Sequence, residues 1–225
     1  MDVLGEMDKV VGSFIQMLDE RKVHNKTIVI FTSANGGIEN DNMFYSRGPL
    51  LKGFKGSLHE GGHRVPMTIR WDQGNVSKGA KRSKLVALND LYATLCEIVN
   101  VKIPSGQAND SISFAKYLLD ELEDDNLRED FGTWRYKGTT FYGEALRKGD
   151  LKLIHYIEDD IFELYNLTED ISENNNIALG NEDLVQEMFA ELLEIGPSES
   201  SRVASSTQNR DDEEGEEQDP DDGGY

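Results

Sequence analysis

The run Thr27-Ile28-Val29-Ile30-Phe31-Thr32 constrains this chain more than any other part of it. It is β-branched and aromatic, short and apolar enough to be a strand buried on both faces. Small residues stop it: Ser33-Ala34-Asn35-Gly36-Gly37 permit a tight turn and close approach of backbone to a ligand. Upstream, Val3, Met7, Val10, Val11, Phe14, Met17 and Leu18 recur at helical spacing, predicting a helix over 2–22. A helix leading into a buried strand is one half of an α/β repeat. In an open α/β sheet ligands bind at the carboxyl ends of strands, which places the first candidate site at the turn.

A cationic loop follows, Lys52-Gly53-Phe54-Lys55-Gly56, and then Glu60-Gly61-Gly62-His63-Arg64-Val65-Pro66. An oxygen-bearing turn beside a glycine-loosened lysine loop points to an anionic ligand, since lysine is a compact charge suited to an oxyanion. Taken alone, the two lysines read as surface residues. The stretch between turn and loop holds Asn40, Asp41 and Asn42, but their spacing fits no ion-binding motif and reads as a solvated loop. His59 and His63 have a spacing that on a helix could hold zinc. Gly61 and Gly62 between them argue against a helix, and so against zinc.

Further on, Met67-Thr68-Ile69-Arg70-Trp71 reads as a second strand. Asn89 or Asp90 is set to cap a helix whose apolar stripe is Leu91, Leu95, Ile98 and Val99. Cys96 lies on that helix as a buried small hydrophobe, and a single cysteine excludes an internal disulfide. Phe114, Tyr117, Leu118 and Leu122 predict a short amphipathic helix, and an acidic loop follows over 123–130. Strands are expected over 139–147, 151–157 and 162–167, the first two joined by a turn at Lys148-Gly149-Asp150. His155 falls in the second of these and reads as structural. Leu184, Val185, Met188, Phe189, Leu192 and Leu193 predict a closing helix over 182–195.

Three blocks in this order resemble the sulfatase family, which reads T-x-V-I-F-T-S-D-N-G, then a K-G loop, then E-G-G-x-R-V-P. The likeness continues through Asp90-Leu91 and Thr94-Leu95, then Arg147, Gly149 and Lys152, Glu163-Leu164-Tyr165, and Glu173. It covers residues 1–196 and implies an α/β fold. Residues 1–104 would be the C-terminal part of an alkaline-phosphatase-like α/β/α sandwich. A small α+β domain with antiparallel strands would occupy 105–196. The implied chemistry is sulfuric ester hydrolysis by a formylglycine nucleophile beside a divalent metal, usually calcium. By the same resemblance Asn35 matches a metal ligand, Lys55 matches the sulfate-contacting lysine, and Glu60, Arg64 and Pro66 are scaffold. Ala34 stands where the family has its metal-binding Asp.

Neither C-x-P-S-R nor S-x-P-S-R, the family's nucleophile motifs, occurs in the 225 residues. The chain therefore resembles the second half of a sulfatase, as a fragment or degenerate paralogue expected to be inactive by itself and poor in calcium affinity. The alternative is a non-catalytic binding module derived from a sulfatase. Transfer of phosphate or phosphonate instead of sulfate is disfavoured by the E-G-G-H-R-V-P block. A sulfate ester is the implied partner once a matching N-terminal half is supplied.

Formal charge is −20, with ten acidic residues and two arginines in 196–225. That balance argues against binding to nucleic-acid phosphates. No apolar run approaches a membrane span, and the N-terminus lacks the pattern of a secretory signal. Four Asn-x-Ser/Thr tripeptides, at Asn25, Asn75, Asn109 and Asn166, are compatible with secretion. Residues 197–225 hold too little apolar surface to fold and are expected to be disordered.

Overall fold

The computed structural model describes residues 3–38, 51–74, 76–120, 127–137 and 140–195. The expectations for the 197–225 tail, for Asn40, Asp41 and Asn42, and for Leu122 lie outside the described residues. The fold is mixed α/β, with helices and small antiparallel sheets in two compact units. One unit comprises Met1–Ala34 and Val65–Glu129, the other Asn35–Arg64 and Asp130–Tyr225.

In the first unit, α1 (Val3–Glu20) forms where the apolar spacing places it and buries Leu18. Strand β1 (Val29–Thr32) pairs antiparallel with β2 (Met67–Arg70), with Ile30 opposite Ile69. Burial of β1 on both faces is not observed: Phe31 is 41% exposed. Among the described residues β1 has one hydrogen-bonded neighbour, so no wide sheet shields it.

Helix α3 (Asp90–Ile98) differs from its expected stripe. Asp90, Ala93 and Thr94 face inward, whereas Leu95 and Val99 are exposed. The reason is polar. The Asp90 carboxylate accepts the N–H groups of Ala87 and Ile112, both at 2.8 Å, and the Arg128 guanidinium at 2.7 and 3.0 Å. Anchoring a buried carboxylate this way rotates the helix about its axis relative to the leucine stripe. Asn89 occupies the cap position without capping, because its amide donates to Asp110. Cys96 is half-buried, and the expected amphipathic helix near Tyr117 is a single turn, α4 (Ala115–Leu118).

The second unit contains a short helix α2 (Glu60–His63) and a four-stranded antiparallel meander. Its strands are β3 (Asp130–Lys137), β4 (Thr140–Lys148), β5 (Leu151–Tyr156) and β6 (Ile161–Asn166). Gly149 takes φ 57° in the β4–β5 turn, a conformation favourable to glycine. Strand β3 occupies residues expected to be partly an acidic loop.

Period-two alternation gives this sheet two different faces. On one face Leu146, Leu153 and Leu164 lie opposite one another in register, under Val185, Met188 and Leu192 of α5 (Glu182–Ile195). His155 belongs here too: its ring stacks on Phe162 at 4.3 Å, and its nitrogens lie 3.0 Å from Glu144 and Asp160. The other face carries the row Arg147, Lys152, Tyr165 and the row Ala145, Ile154, Glu163. Leu58 packs against Ala145, Ile154 and Tyr165, which seats the lysine loop on this polar face.

Candidate functional site

The loop preceding Glu60 is built by backbone hydrogen bonds between segments distant in sequence. Gly36 N–H donates to Gly62 O at 2.9 Å, Lys55 N–H to Gly37 O at 2.7 Å, and Gly61 N–H to Lys52 O at 2.7 Å. Backbone touching backbone explains the glycines. A Cβ on Gly36 would lie 1.8 Å from Gly61 O. Asn35 is thus held one residue from a fixed point, and its Nδ2 donates to Gly36 O at 2.7 Å.

The two lysines of the loop separate in role. Lys52 reaches inward, donating to the Glu173 carbonyl at 3.1 Å and to the Tyr165 hydroxyl at 3.2 Å, with Nζ 5.3 Å from the Tyr165 ring centroid. Lys55 is exposed, and its ammonium has no carboxylate partner among the described residues. Of the pair, only Lys55 presents an uncommitted charge.

Beneath the loop lies an ion cluster. Glu60, 1% exposed, receives Lys152 Nζ at 3.0 Å on Oε1 and Arg64 Nη1 at 3.2 Å on Oε2. His63 Nε2 stands 3.3 Å from Oε1, and Arg147 Nη1 stands 3.5 Å from Oε2. Lys152, equally buried, also meets Glu173 Oε1 at 2.9 Å, and Glu173 Oε2 accepts the Glu60 N–H at 2.8 Å. Glu173 takes φ 52°, a left-handed conformation uncommon for its type, to aim both its side chain and its carbonyl at the loop. These contacts also account for the helical turn α2, against which Gly61 and Gly62 argue in sequence. The turn closes when Arg64 N–H reaches Glu60 O at 2.8 Å, with Glu60 fixed from outside.

His59 and His63 turn to different carboxylates, His59 Nε2 lying 3.2 Å from Glu163. Burial favours protonation of Glu60, but the hydrogen bond from His63 and the charge of Lys152 outweigh it and hold its carboxyl well below the usual range. The hydrogen bond from His59 depresses Glu163 in the same direction, while burial and the Glu163 charge push the Tyr165 hydroxyl up. Unfolded, both glutamates take up protons near their ordinary value of 4.5; folded, they resist. Acid therefore favours the unfolded chain. Stability is expected to be full above about pH 5 and to fall as pH drops through and below the ordinary carboxylate range. Denaturant midpoints at pH 7, 5 and 3.5 check this, with equal midpoints at all three contradicting it.

A calcium ion takes six to eight oxygen ligands, largely carboxylates. The described residues do not fit one: Ala34 contributes a methyl group and Asn35 a neutral amide. No three His, Cys, Asp or Glu side chains gather into a metal-holding group among those residues.

Sequence reasoning singled out Lys55, Asn35 and Glu60; it matched Arg147, Lys152, Glu163 and Glu173 to the family pattern but gave them no role at the site. The available signal was the alternation itself, which sets Arg147, Lys152 and Tyr165 on the face opposite Leu146, Leu153 and Leu164.

Comparison with known proteins follows the same geography. The sulfatase family profile matches residues 1–101, and the profile described as N-sulphoglucosamine sulphohydrolase, C-terminal, matches 54–196. An N-acetylgalactosamine-6-O-sulfatase of Bacteroides thetaiotaomicron is 26% identical over 219 residues, which cover 86% of this chain and 40% of that protein. The N-acetylgalactosamine-6-sulfatase of Homo sapiens is 32% identical over 120 residues, covering 52% of this chain and 23% of its own. A structure solved in work on the metabolism of multiple glycosaminoglycans by Bacteroides thetaiotaomicron aligns with a TM-score of 0.69. It is 28% identical and covers 84% of this chain and 42% of that one. The chain spans 40% or less of the length of these curated relatives.

Proposed function

Because this chain belongs to the sulfatase family, we propose that it supplies the anion-holding part of a sulfuric ester hydrolase, with Lys55 meeting the sulfate of a sulfated sugar. The observation that carries this reading is the division of labour in the loop: Lys52 is engaged with Tyr165 and Glu173, while Lys55 stays exposed on a backbone pinned to Gly37. An ammonium carried on an anchored backbone, with no carboxylate partner among the described residues, can stabilise negative charge on sulfate oxygens as the ester bond breaks. The names of the relatives, which include two sulfatases of N-acetylgalactosamine 6-sulfate groups, favour a sulfated amino sugar as the ligand class.

Ala34 favours a second reading, in which the chain binds such sugars without hydrolysing them. Its 225 residues contain neither nucleophile motif. The purified chain is therefore expected to bind N-acetylgalactosamine 6-sulfate and to leave an aryl sulfate intact. Replacing Lys55 by Ala should weaken binding roughly tenfold or more, since a hydrogen bond to a charged group is worth about 1.5–3 kcal/mol. Calorimetric titration of both proteins decides the matter. Equal affinities would remove Lys55 from the site, and turnover by the chain above the Lys55→Ala background would end the binding-only reading.

A further inference from the structure

We propose that Lys152 is a positioning residue for Lys55: one buried ammonium in the small sheet fixes the loop that presents the sulfate-binding lysine. The proposal rests on the reading of Lys55 given above. Lys152 sits in the cross-strand row between Arg147 and Tyr165, 1% exposed, far too buried to touch a ligand itself. What it touches are Glu60 Oε1 at 3.0 Å and Glu173 Oε1 at 2.9 Å.

From those two carboxylates the connection to Lys55 is short and continuous. Glu173 grips the Glu60 N–H with its side chain and Lys52 Nζ with its carbonyl. Next to Glu60, Gly61 N–H holds Lys52 O, and Gly62 O holds Gly36 N–H. Gly37 O then receives the Lys55 N–H. The loop is therefore tied on both sides of Lys55 to groups that Lys152 brings together.

This arrangement explains why three sequence features far apart accompany one another in a single site. Glu60-Gly61-Gly62, the Arg147 and Lys152 pair, and Glu173 are the separate parts of one buried ion cluster. Arg64 and Arg147 share Glu60 Oε2 from the rim, while Lys152 joins Glu60 Oε1, which His63 also approaches, to Glu173 Oε1. Without Lys152 two buried carboxylates face each other, and repulsion between them separates Glu173 from α2.

The test uses the full chain in five forms: unaltered, Lys55→Ala, Lys152→Met, Lys55→Ala combined with Lys152→Met, and Lys152→Met combined with Glu173→Gln. The last removes the surplus negative charge while keeping an acceptor for the Glu60 N–H, so it folds where the single change fails to. Amide hydrogen exchange at Gly36, Gly61 and Lys55 is followed by NMR, alongside inorganic sulfate affinity. In a folded Lys152 variant these three amides are expected to exchange roughly tenfold faster or more, while amides within the β5–β6 ladder keep their protection. Sulfate affinity should fall with them, and adding the Lys152 change to Lys55→Ala should lower it no further, because the effect passes through Lys55. A purely structural role would weaken both backgrounds alike. Unchanged exchange at the three amides in a folded variant overturns the proposal. If Lys55→Ala leaves sulfate affinity intact, the reading of Lys55 falls instead, and amide exchange alone then decides whether Lys152 fixes the loop.

Discussion

Replacing Glu60 by Ala is expected to destabilise the second unit by about 3–5 kcal/mol, the usual cost of removing one member of a buried ion cluster. Lys152 would keep Glu173 as its counter-ion, but Arg64 and Arg147 would lose the oxygen that holds them together, and His63 its carboxylate. A domain with total stability of about 5–15 kcal/mol loses a large part of it to such a change. Glu60→Gln preserves shape and one acceptor and should cost less. Glu191→Ala provides the contrast, because its pairing with Lys148 is partly exposed, and such pairs contribute little to stability. Urea midpoints of the three variants measure the series. A Glu60→Ala midpoint no lower than that of Glu191→Ala would show that the cluster contributes nothing net.

Gly36→Ala carries the second large effect, from sterics instead of charge. Its Cβ would lie 1.8 Å from Gly61 O and 2.8 Å from Gly61 C, and both are backbone atoms that cannot rotate away. The Gly36–Gly62 hydrogen bond must break, with an expected loss of about 3 kcal/mol. Because Gly37 carries the acceptor for Lys55, sulfate affinity should fall as well. Gly12→Ala is the opposing case: nothing lies within 4 Å of its Cβ in the interior of α1. There the change should stabilise by about 1 kcal/mol through helix propensity. Thermal melting of the two alanine variants reads shifts of opposite sign, and a neutral Gly36→Ala would mean the close approach is not rigid.

Periodicity located the elements whose partners are local. Helix α1, the β4–β5 hairpin and helix α5 all emerge from spacing alone, since each is defined by residues a few positions apart. Helix α3 was legible in extent but not in orientation. Its leucines lost to Asp90, whose Arg128 partner lies 38 residues away. Strand β3 was missed although Phe131, Thr133, Trp134 and Tyr136 have strand preference, because an acidic stretch runs into it. At the site, Lys55 stood out through its glycine neighbours and motif likeness. Lys152 matched the family pattern too, but its role was not legible, because its burial depends on Glu60, 92 residues earlier in the chain.

That separation sets an order of events during synthesis. The segment Asn35–Arg64 belongs to the same unit as Asp130–Tyr225, and the whole of Val65–Glu129 is made between them. Lys52 meets the carbonyl of a residue 121 positions downstream. At roughly 5–20 residues per second, translation leaves the lysine loop waiting on the order of ten seconds for Glu173 to emerge. For most of that interval Glu60 has neither Lys152 nor Arg147. The nascent loop is thus a pliable, water-exposed stretch, open to proteases and chaperones until the last strands leave the ribosome. The residues that would grip an anion are translated well before the strands that hold them in place.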